Sequence, residues 1–248
     1  MFNFFKKKIY LKDLLEDFVD IHCHILPSID DGAANMQESL DLIKGLRKLG
    51  IKEFIATPHI MQDFYPNNAE TISKSYENLL ESISSQTRRA IDINPAAEYM
   101  LDTHFETLLK EKHLFTLKKN YVLVELSYFQ PPINLEELIF NIKMQGYIPV
   151  LAHPERYVYY SDNLGYYKRL KDLGCLFQLN LLSLSDHYGS TTEKTAQYLI
   201  ANNLIDFAGT DTHRMEHIKK LAKITMDSKI SEPLSKILEH TKCVFSVS

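Results

Sequence analysis

The chain is poor in cysteine: Cys23, Cys175 and Cys243 are its only three in 248 residues, an odd number without close pairing. Such usage excludes a disulfide framework and fits a reducing cytoplasm. Thiol phosphatase chemistry is excluded as well. That chemistry needs an arginine six positions after the nucleophile, whereas Ile29 and Leu181 stand six beyond Cys23 and Cys175, and Cys243 lies too near the end. No apolar run approaches the roughly 18 residues that would span a bilayer. There is also no excess of positive charge. A formal net charge of −4 with dispersed lysines argues against a general nucleic-acid binder. Internal repeats, low-complexity tracts and linkers are missing too, so 248 residues read as one domain with a large core. The start, MFNFFKKK, has its lysines after its phenylalanines and no cleavable apolar core, so it reads as a frayed terminus, with weak membrane-surface contact as the alternative.

What the chain does have is alternation. Short apolar runs at Phe18–Ile21, Phe54–Ala56, Ile91–Ala96, Tyr121–Leu126, Ile148–Ala152, Leu176–Leu179 and Ile205–Ala208 are strand candidates. Between them, QESLDLIKGLRKLG, TISKSYENLLESI, LEELIFNIKMQG and TTEKTAQYLIANN place apolar residues three and four apart, as helices do. Strand followed by helix predicts a parallel sheet with helical crossovers. A distorted seven-stranded, TIM-like (β/α)7 barrel is the expected closure, because a barrel gathers strand-end residues at one rim. The expected domain runs over 18–248, with 1–17 as an extension.

Nine metal-seeking side chains stand at the ends of those runs: His22, His24, Asp31, His59, Glu98, Glu125, His153, Asp211 and His213. Residues two apart in a strand share a face, so His22 and His24 can grip one ion while Cys23 faces away, and Asp211 and His213 repeat the spacing. A solitary His-x-His is common decoration. Nine imidazoles and carboxylates distributed by strand are not, and they exceed what one ion can use, which predicts a multinuclear site for manganese, iron or zinc. His104, His113, His187, His217 and His240 lack strand-end placement and are expected to be exposed or capping residues, His217 being the least secure of the five because it follows His213 by one helical turn.

The strings DIHCHILPSIDDGAANMQESL, ATPH, AAEYM, ELS, AHPERY and GTDTH resemble the polymerase and histidinol phosphatase (PHP) family. More narrowly they are similar to the bacterial CpsB/CapC/YwqE type of manganese-dependent protein-tyrosine phosphatase, from Asp20 to about His213. The resemblance implies three metal ions. His22, His24, Glu98 and Asp211 would hold the first; Glu98 would bridge to a second on Glu125 and His153; Asp31, His59 and His213 would hold the third. Manganese is the implied metal, with iron and zinc as alternatives.

Clustered divalent ions lower the pKa of water and neutralise phosphoryl charge, which suits in-line hydrolysis of a phosphate ester without a phosphoenzyme. Arg156, three residues after His153, is the candidate clamp for phosphate oxygens, a surface salt bridge with Glu155 being its other reading. Related phosphatases carry a second arginine, next to proline, farther along the final loop. This chain has Arg214 directly after His213 instead, as a candidate substitute or a helix-start surface residue. Phe64, Tyr65 and Tyr128 are candidate walls of a phenyl slot, and Gln178 and Asn180 either orient ligands or satisfy backbone groups. The expected substrate is the tyrosine-rich tail of a membrane-associated bacterial kinase that controls capsular or extracellular polysaccharide. Histidinol phosphate hydrolysis and a non-catalytic kinase-binding regulator are the alternatives.

Overall fold

A computed structural model describes residues 8–84 and 89–247, so the reading of Met1–Lys7 lies outside the described residues. The seven predicted runs all form strands: β2 (Val19–Cys23), β3 (Glu53–Ala56), β5 (Asp92–Pro95), β7 (Tyr121–Glu125), β8 (Ile148–Ala152), β9 (Leu176–Asn180) and β10 (Phe207–Gly209). Four short strands escape the apolar pattern: β1 (Ile9–Tyr10), β4 (His59–Ile60), β6 (Glu98–Met100) and β11 (Thr225–Met226). The four clearest helical patterns become α1 (Met36–Arg47), α2 (Ala69–Ser82), α4 (Leu135–Met144) and α6 (Ser190–Ala201). Asn35 caps α1 by accepting from the Glu38 amide, and Asn68 and Thr71 form a reciprocal capping box on α2. Shorter helices α3 (Thr103–Glu111), α5 (Gly165–Asp172) and α7 (Met215–Leu221) and the long α8 (Ser228–Phe245) complete the set. No helix among the described residues is long and apolar enough to cross a membrane.

The architecture is mixed α/β with parallel sheets. One ladder runs β10-β9-β8-β7-β6-β4 and a smaller one β2-β3-β5, both parallel, while β1 and β11 form an antiparallel pair. The chain passes between the two ladders at two interruptions, Thr57-Pro58 between β3 and β4 and Ala96-Ala97 between β5 and β6. Pro58 has no amide hydrogen to give a ladder, although its carbonyl still accepts from Glu98 N at 3.1 Å. Each strand resumes on a metal-seeking residue, and His59 and Glu98 are register partners.

At the other margin, Asp211 N donates to the His22 carbonyl at 2.7 Å and His24 N to the Thr212 carbonyl at 3.0 Å. This close approach depends on Gly209, where a Cβ would fall 2.7 Å from that of His22. Below it, Asp20 is buried and accepts from the amide and hydroxyl of Thr210, while burial pushes its pKa up to about 6.

Two apolar cores flank the strands. The larger packs strands against helices and includes Leu11 and Leu15, which precede the first predicted strand. The smaller joins Val19, Ile21, Ile55, Leu123, Val150 and Phe207 from both ladders and includes Phe245 of α8. Val19 and Ile21 belong to the smaller core but Cys23 to the larger. A register irregularity between Asp20 and Cys23 makes that switch, and it aims His22 and His24 at the site while the cysteine turns away.

Candidate metal centre

All nine predicted residues come together. His22 arrives on β2 and His24 directly after it, His59 on β4, Glu98 on β6 and Glu125 on β7, while His153 follows β8 and Asp211 and His213 follow β10. Asp31 comes from the loop after β2. Its neighbour Gly32 is obligatory in shape, since a Cβ there would sit 2.2 Å from the His24 carbonyl oxygen. His153 and Asp211 both take left-handed backbone conformations, with φ of +34° and +49°, unusual for side-chain-bearing residues and characteristic of functional positions.

Four overlapping groups offer ligand atoms within 4.8 Å of one another: His24, Asp31, His59 and His213; His22, His24 and Asp211; His22, Glu98 and His153; and His59, Glu98 and Glu125. Glu98 belongs to two of them. Its Oε2 lies 3.1 Å from His22 Nε2 and 3.2 Å from His59 Nδ1, while Oε1 lies 3.0 Å from His153 Nε2.

The far edges of three imidazoles are fixed by acceptors. His22 Nδ1 faces Gln178 Oε1 at 2.8 Å, and the amide nitrogen of Gln178 is engaged on the Leu179 carbonyl. His24 Nδ1 faces the Asp30 carboxylate at 2.8 Å, and His213 Nδ1 the Asp211 carbonyl at 2.9 Å. Each Nδ1 therefore holds the proton, leaving an Nε2 lone pair turned inward, the arrangement by which protein groups orient metal-binding histidines. The consequence is a congregation of lone pairs. His22 Nε2 and His24 Nε2 stand 3.2 Å apart, and both face Asp211 Oδ1 at 3.3–3.4 Å. His59 Nδ1 and Glu125 Oε1 are 2.8 Å apart without hydrogen-bond geometry, and both atoms are buried with no hydrogen-bond partner. Lone pairs aimed at one another call for cations between them, and the imidazole and carboxylate donor set fits divalent manganese, iron or zinc.

Electrostatics say the same. Burial disfavours the charged carboxylates of Glu98 and Asp211, yet the surrounding histidines outweigh it and hold both pKa values well below the ordinary range. Burial likewise opposes charge on His59, but Glu125 and Glu98 prevail and raise it to about 9. Without ions the histidines themselves must carry the protons that hold Glu98 and Asp211 ionised; a bound cation would take over that role and free the imidazole lone pairs.

Arg156 does not pair with Glu155. Its Nη1 donates to Asp211 Oδ2 at 2.7 Å, and its guanidinium lies over Tyr128 and Tyr188, 4.7 Å and 4.1 Å from their ring centres. Asp211 thereby divides its oxygens, Oδ1 toward the histidines and Oδ2 toward Arg156 and Asn180 Nδ2, the latter at 2.8 Å. Glu155 is buried one residue away, accepts from Asn180 N at 3.0 Å and leaves Oε2 without a partner; burial raises its pKa to about 7. Gln178 and Asn180 both act on the cluster, through His22 and Asp211 respectively.

A cleft of about 490 Å³ opens over the cluster, and Phe64, Tyr65, Tyr128 and Arg214 line it together with Arg156. Phe64 is 74% exposed at the rim, whereas the Tyr65 ring stacks on His59 at 5.5 Å. Arg214 is the N-cap residue of α7. Of the five histidines expected to be exposed or capping residues, His104, His113 and His240 lie away from the cleft, whereas His187 and His217 line it. His217 is drawn in by the helical turn that separates it from His213, whose amide it accepts at 3.3 Å. His187 comes from the turn after β9, a connection with no apolar periodicity to place it. Asp30 and Tyr188 were also missed. The doublet DDG was the only signal for Asp30, and of its two carboxylates the buried first one orients His24 while the second faces the cleft.

The family model for capsular polysaccharide synthesis, CpsB/CapC, matches residues 18–235. The tyrosine-protein phosphatase YwqE of Bacillus subtilis is 30% identical over 199 residues, covering 80% of this chain and 78% of that protein. A putative tyrosine-protein phosphatase, CapC of Staphylococcus aureus, is 28% identical over 92% of this chain and 91% of its own length. Among solved structures, one from a study of YwqE from Bacillus subtilis and CpsB from Streptococcus pneumoniae, described as unique metal-dependent tyrosine phosphatases, superposes with a TM-score of 0.71 at 26% identity, covering 90% of this chain and 94% of that one. With a match over most of its length and the nine metal-seeking residues gathered at one place, the chain belongs to the CpsB/CapC family of capsular polysaccharide synthesis.

Proposed function

We propose that the protein is a metal-dependent protein-tyrosine phosphatase, a phosphoric monoester hydrolase acting on phosphotyrosine in a polypeptide. The observation that carries this reading is the convergence of nine inward-facing ligands beside a guanidinium at the floor of an aromatic-walled cleft. The relatives named as tyrosine phosphatases support it. Three divalent ions are proposed, partitioned as the sequence strings imply: His22, His24, Glu98 and Asp211; Glu98, Glu125 and His153; Asp31, His59 and His213. Manganese is the proposed metal. A distorted seven-stranded barrel is the proposed description of the scaffold, supported by the backbone hydrogen bonds that link β2 to the end of β10 and by the small core shared between the ladders.

Bound divalent ions would acidify water and neutralise developing phosphoryl charge. The rest is the work of side chains. Arg156 keeps one arm on Asp211 and offers the remainder of its planar fork to phosphoryl oxygens, with Arg214 at the rim as a second cationic contact. Phe64, Tyr65 and Tyr128 wall the space that a phenyl group would fill. A phenol departs with a pKa of about 10, so its ester needs less help from a general acid than an alkyl phosphate does. No thiol lines the cleft among the described residues, and burial raises Cys23 well above its ordinary value and Cys175 to about 12, which argues against a cysteine nucleophile and accords with attack by water.

The proposed physiological substrate is the tyrosine-phosphorylated tail of a bacterial kinase that controls polysaccharide export, met in the cytoplasm by a domain proposed over 18–248, to which β1, Leu11 and Leu15 add from the segment before it. Chelation followed by return of single metals, with p-nitrophenyl phosphate as reporter, tests the metal requirement. Competition among phosphotyrosine peptide, phosphoserine peptide and histidinol phosphate tests the substrate, and preference for either of the latter two overturns the assignment.

A further inference from the structure

His187 lines the cleft from the short turn Asp186–Tyr188 that follows β9, yet it belongs to none of the metal-seeking groups. Its Nδ1 lies 2.9 Å from Lys220 Nζ on α7, and the same ammonium pairs with Glu216 at 2.9 Å. An ammonium has three hydrogens and no lone pair, so Nδ1 must be the acceptor and the ring's single proton resides on Nε2. Burial, and then the Lys220 charge, hold the His187 pKa below that of a free imidazole. The residue is therefore a neutral donor with a fixed tautomer.

Its position relative to Arg156 indicates what it would meet. The Tyr188 ring is the common neighbour of both, 4.1 Å from Arg156 Cζ and 4.4 Å from the His187 ring centre. Arg156 and His187 thus stand in the same cleft with one aromatic side chain shared between them, so a second donor lies beside the phosphate clamp, within reach of the polypeptide that continues from a phosphotyrosyl group. We propose that His187, oriented by Lys220, is a further substrate-contacting residue that donates from Nε2 to a main-chain carbonyl of the phosphorylated polypeptide. The assignment rests on the phosphatase reading. It makes Lys220 a positioning residue and gives the site a preference for peptides over small aryl phosphates.

The test pairs kinetics with spectroscopy on the metal-loaded full chain. His187→Phe keeps a ring and removes the donor. It is expected to lower kcat/KM for a phosphotyrosine peptide about tenfold more than for p-nitrophenyl phosphate, the scale of one substrate hydrogen bond. His187→Gln, which retains an N–H, is expected to recover part of that ratio, and Lys220→Met to lose it in the same direction. Ring ¹⁵N shifts should report His187 as the Nε2–H tautomer in the parent and as a tautomer mixture in Lys220→Met. Equal losses on both substrates, or a tautomer indifferent to Lys220, would overturn the proposal. Failure of the parent to hydrolyse either phosphotyrosine compound with metals present would instead overturn the phosphatase reading on which it stands, and the proposal with it.

Discussion

Glu98 and Glu155 are equally hidden from water, and they fare in opposite ways. Glu98, ringed by His22, His59 and His153, is held ionised far below its ordinary range, whereas Glu155, one strand away with a backbone amide and an unpartnered oxygen, is pushed up to about 7. Burial therefore does not decide whether a carboxyl group carries charge here; what faces it does. The first region is organised to hold negative charge in readiness for cations. The second uses a carboxyl as part of the scaffold that places Arg156 and Asn180.

The sharpest way to break that contrast is to neutralise Glu98. In Glu98→Gln the shape persists, but two ligand groups lose their shared anion, so phosphatase turnover is expected to fall by at least about a hundredfold, beyond the range typical of losing an outer-shell partner. Metal content measured on the purified variant should fall with it. A variant that keeps both its metals and its rate would show that the cluster does not act as one unit. Arg156→Ala comes next, with an expected loss of about 10²–10³ in kcat, comparable to removing one oxyanion donor. Metal content should survive, because Arg156 meets the cluster only through Asp211 Oδ2.

Strand ends were legible in the sequence because two periodicities coincide there. Runs such as YVLVE and PVLAH announce a buried strand by continuous apolar residues, and the polar residue that ends each run has no packing reason to be there. Most of the metal-seeking residues stand out in that way, whereas Asp31, in the loop after β2, is marked by the DDG string instead. What escaped lies where pattern stops: β4 and β6 are too short to show alternation, the interruptions at Thr57-Pro58 and Ala96-Ala97 divide strands that look continuous in sequence, and the turn carrying His187 and Tyr188 has no period at all. Leu11 and Leu15 were hidden for another reason. A four-residue 3₁₀ turn is too brief to register as a helix, so two core residues looked like part of an extension. Asp30 shows the limit most clearly: two adjacent aspartates differ in role because Asp30 is buried behind His24 and Asp31 opens on the cleft, a distinction only tertiary packing makes.

Asp30 offers a smaller perturbation of the charged region. Asp30→Asn keeps an acceptor for His24 Nδ1 but removes the carboxylate that fixes its tautomer and raises its basicity. Loss of such a partner is expected to weaken metal affinity about 10–100-fold, readable by competition with a chelator of known affinity. An unchanged affinity would mean that His24 is oriented by its backbone alone.

Glu155→Gln is the mildest change expected for activity and acts on stability with a definite sign. A carboxyl whose pKa rises from 4.5 to about 7 on folding binds more protons in the folded state than in the unfolded one between those values. Stability then falls as pH rises through that window and is constant beyond it, since the unfolded state binds fewer protons. Glutamine retains an oxygen for the Asn180 amide and cannot ionise. The variant should match the parent near pH 4 and exceed it by about 3 kcal/mol at pH 8, measured by urea unfolding in the presence of chelator. Asp20, which is also raised by burial, titrates with the same sign in both proteins and drops out of the difference. The two regions thus respond in opposite directions to removal of a buried charge, lost function at Glu98 and gained stability at Glu155, because the histidines outweigh burial at the first carboxylate, whereas at the second burial outweighs the hydrogen bonds and the Arg156 charge.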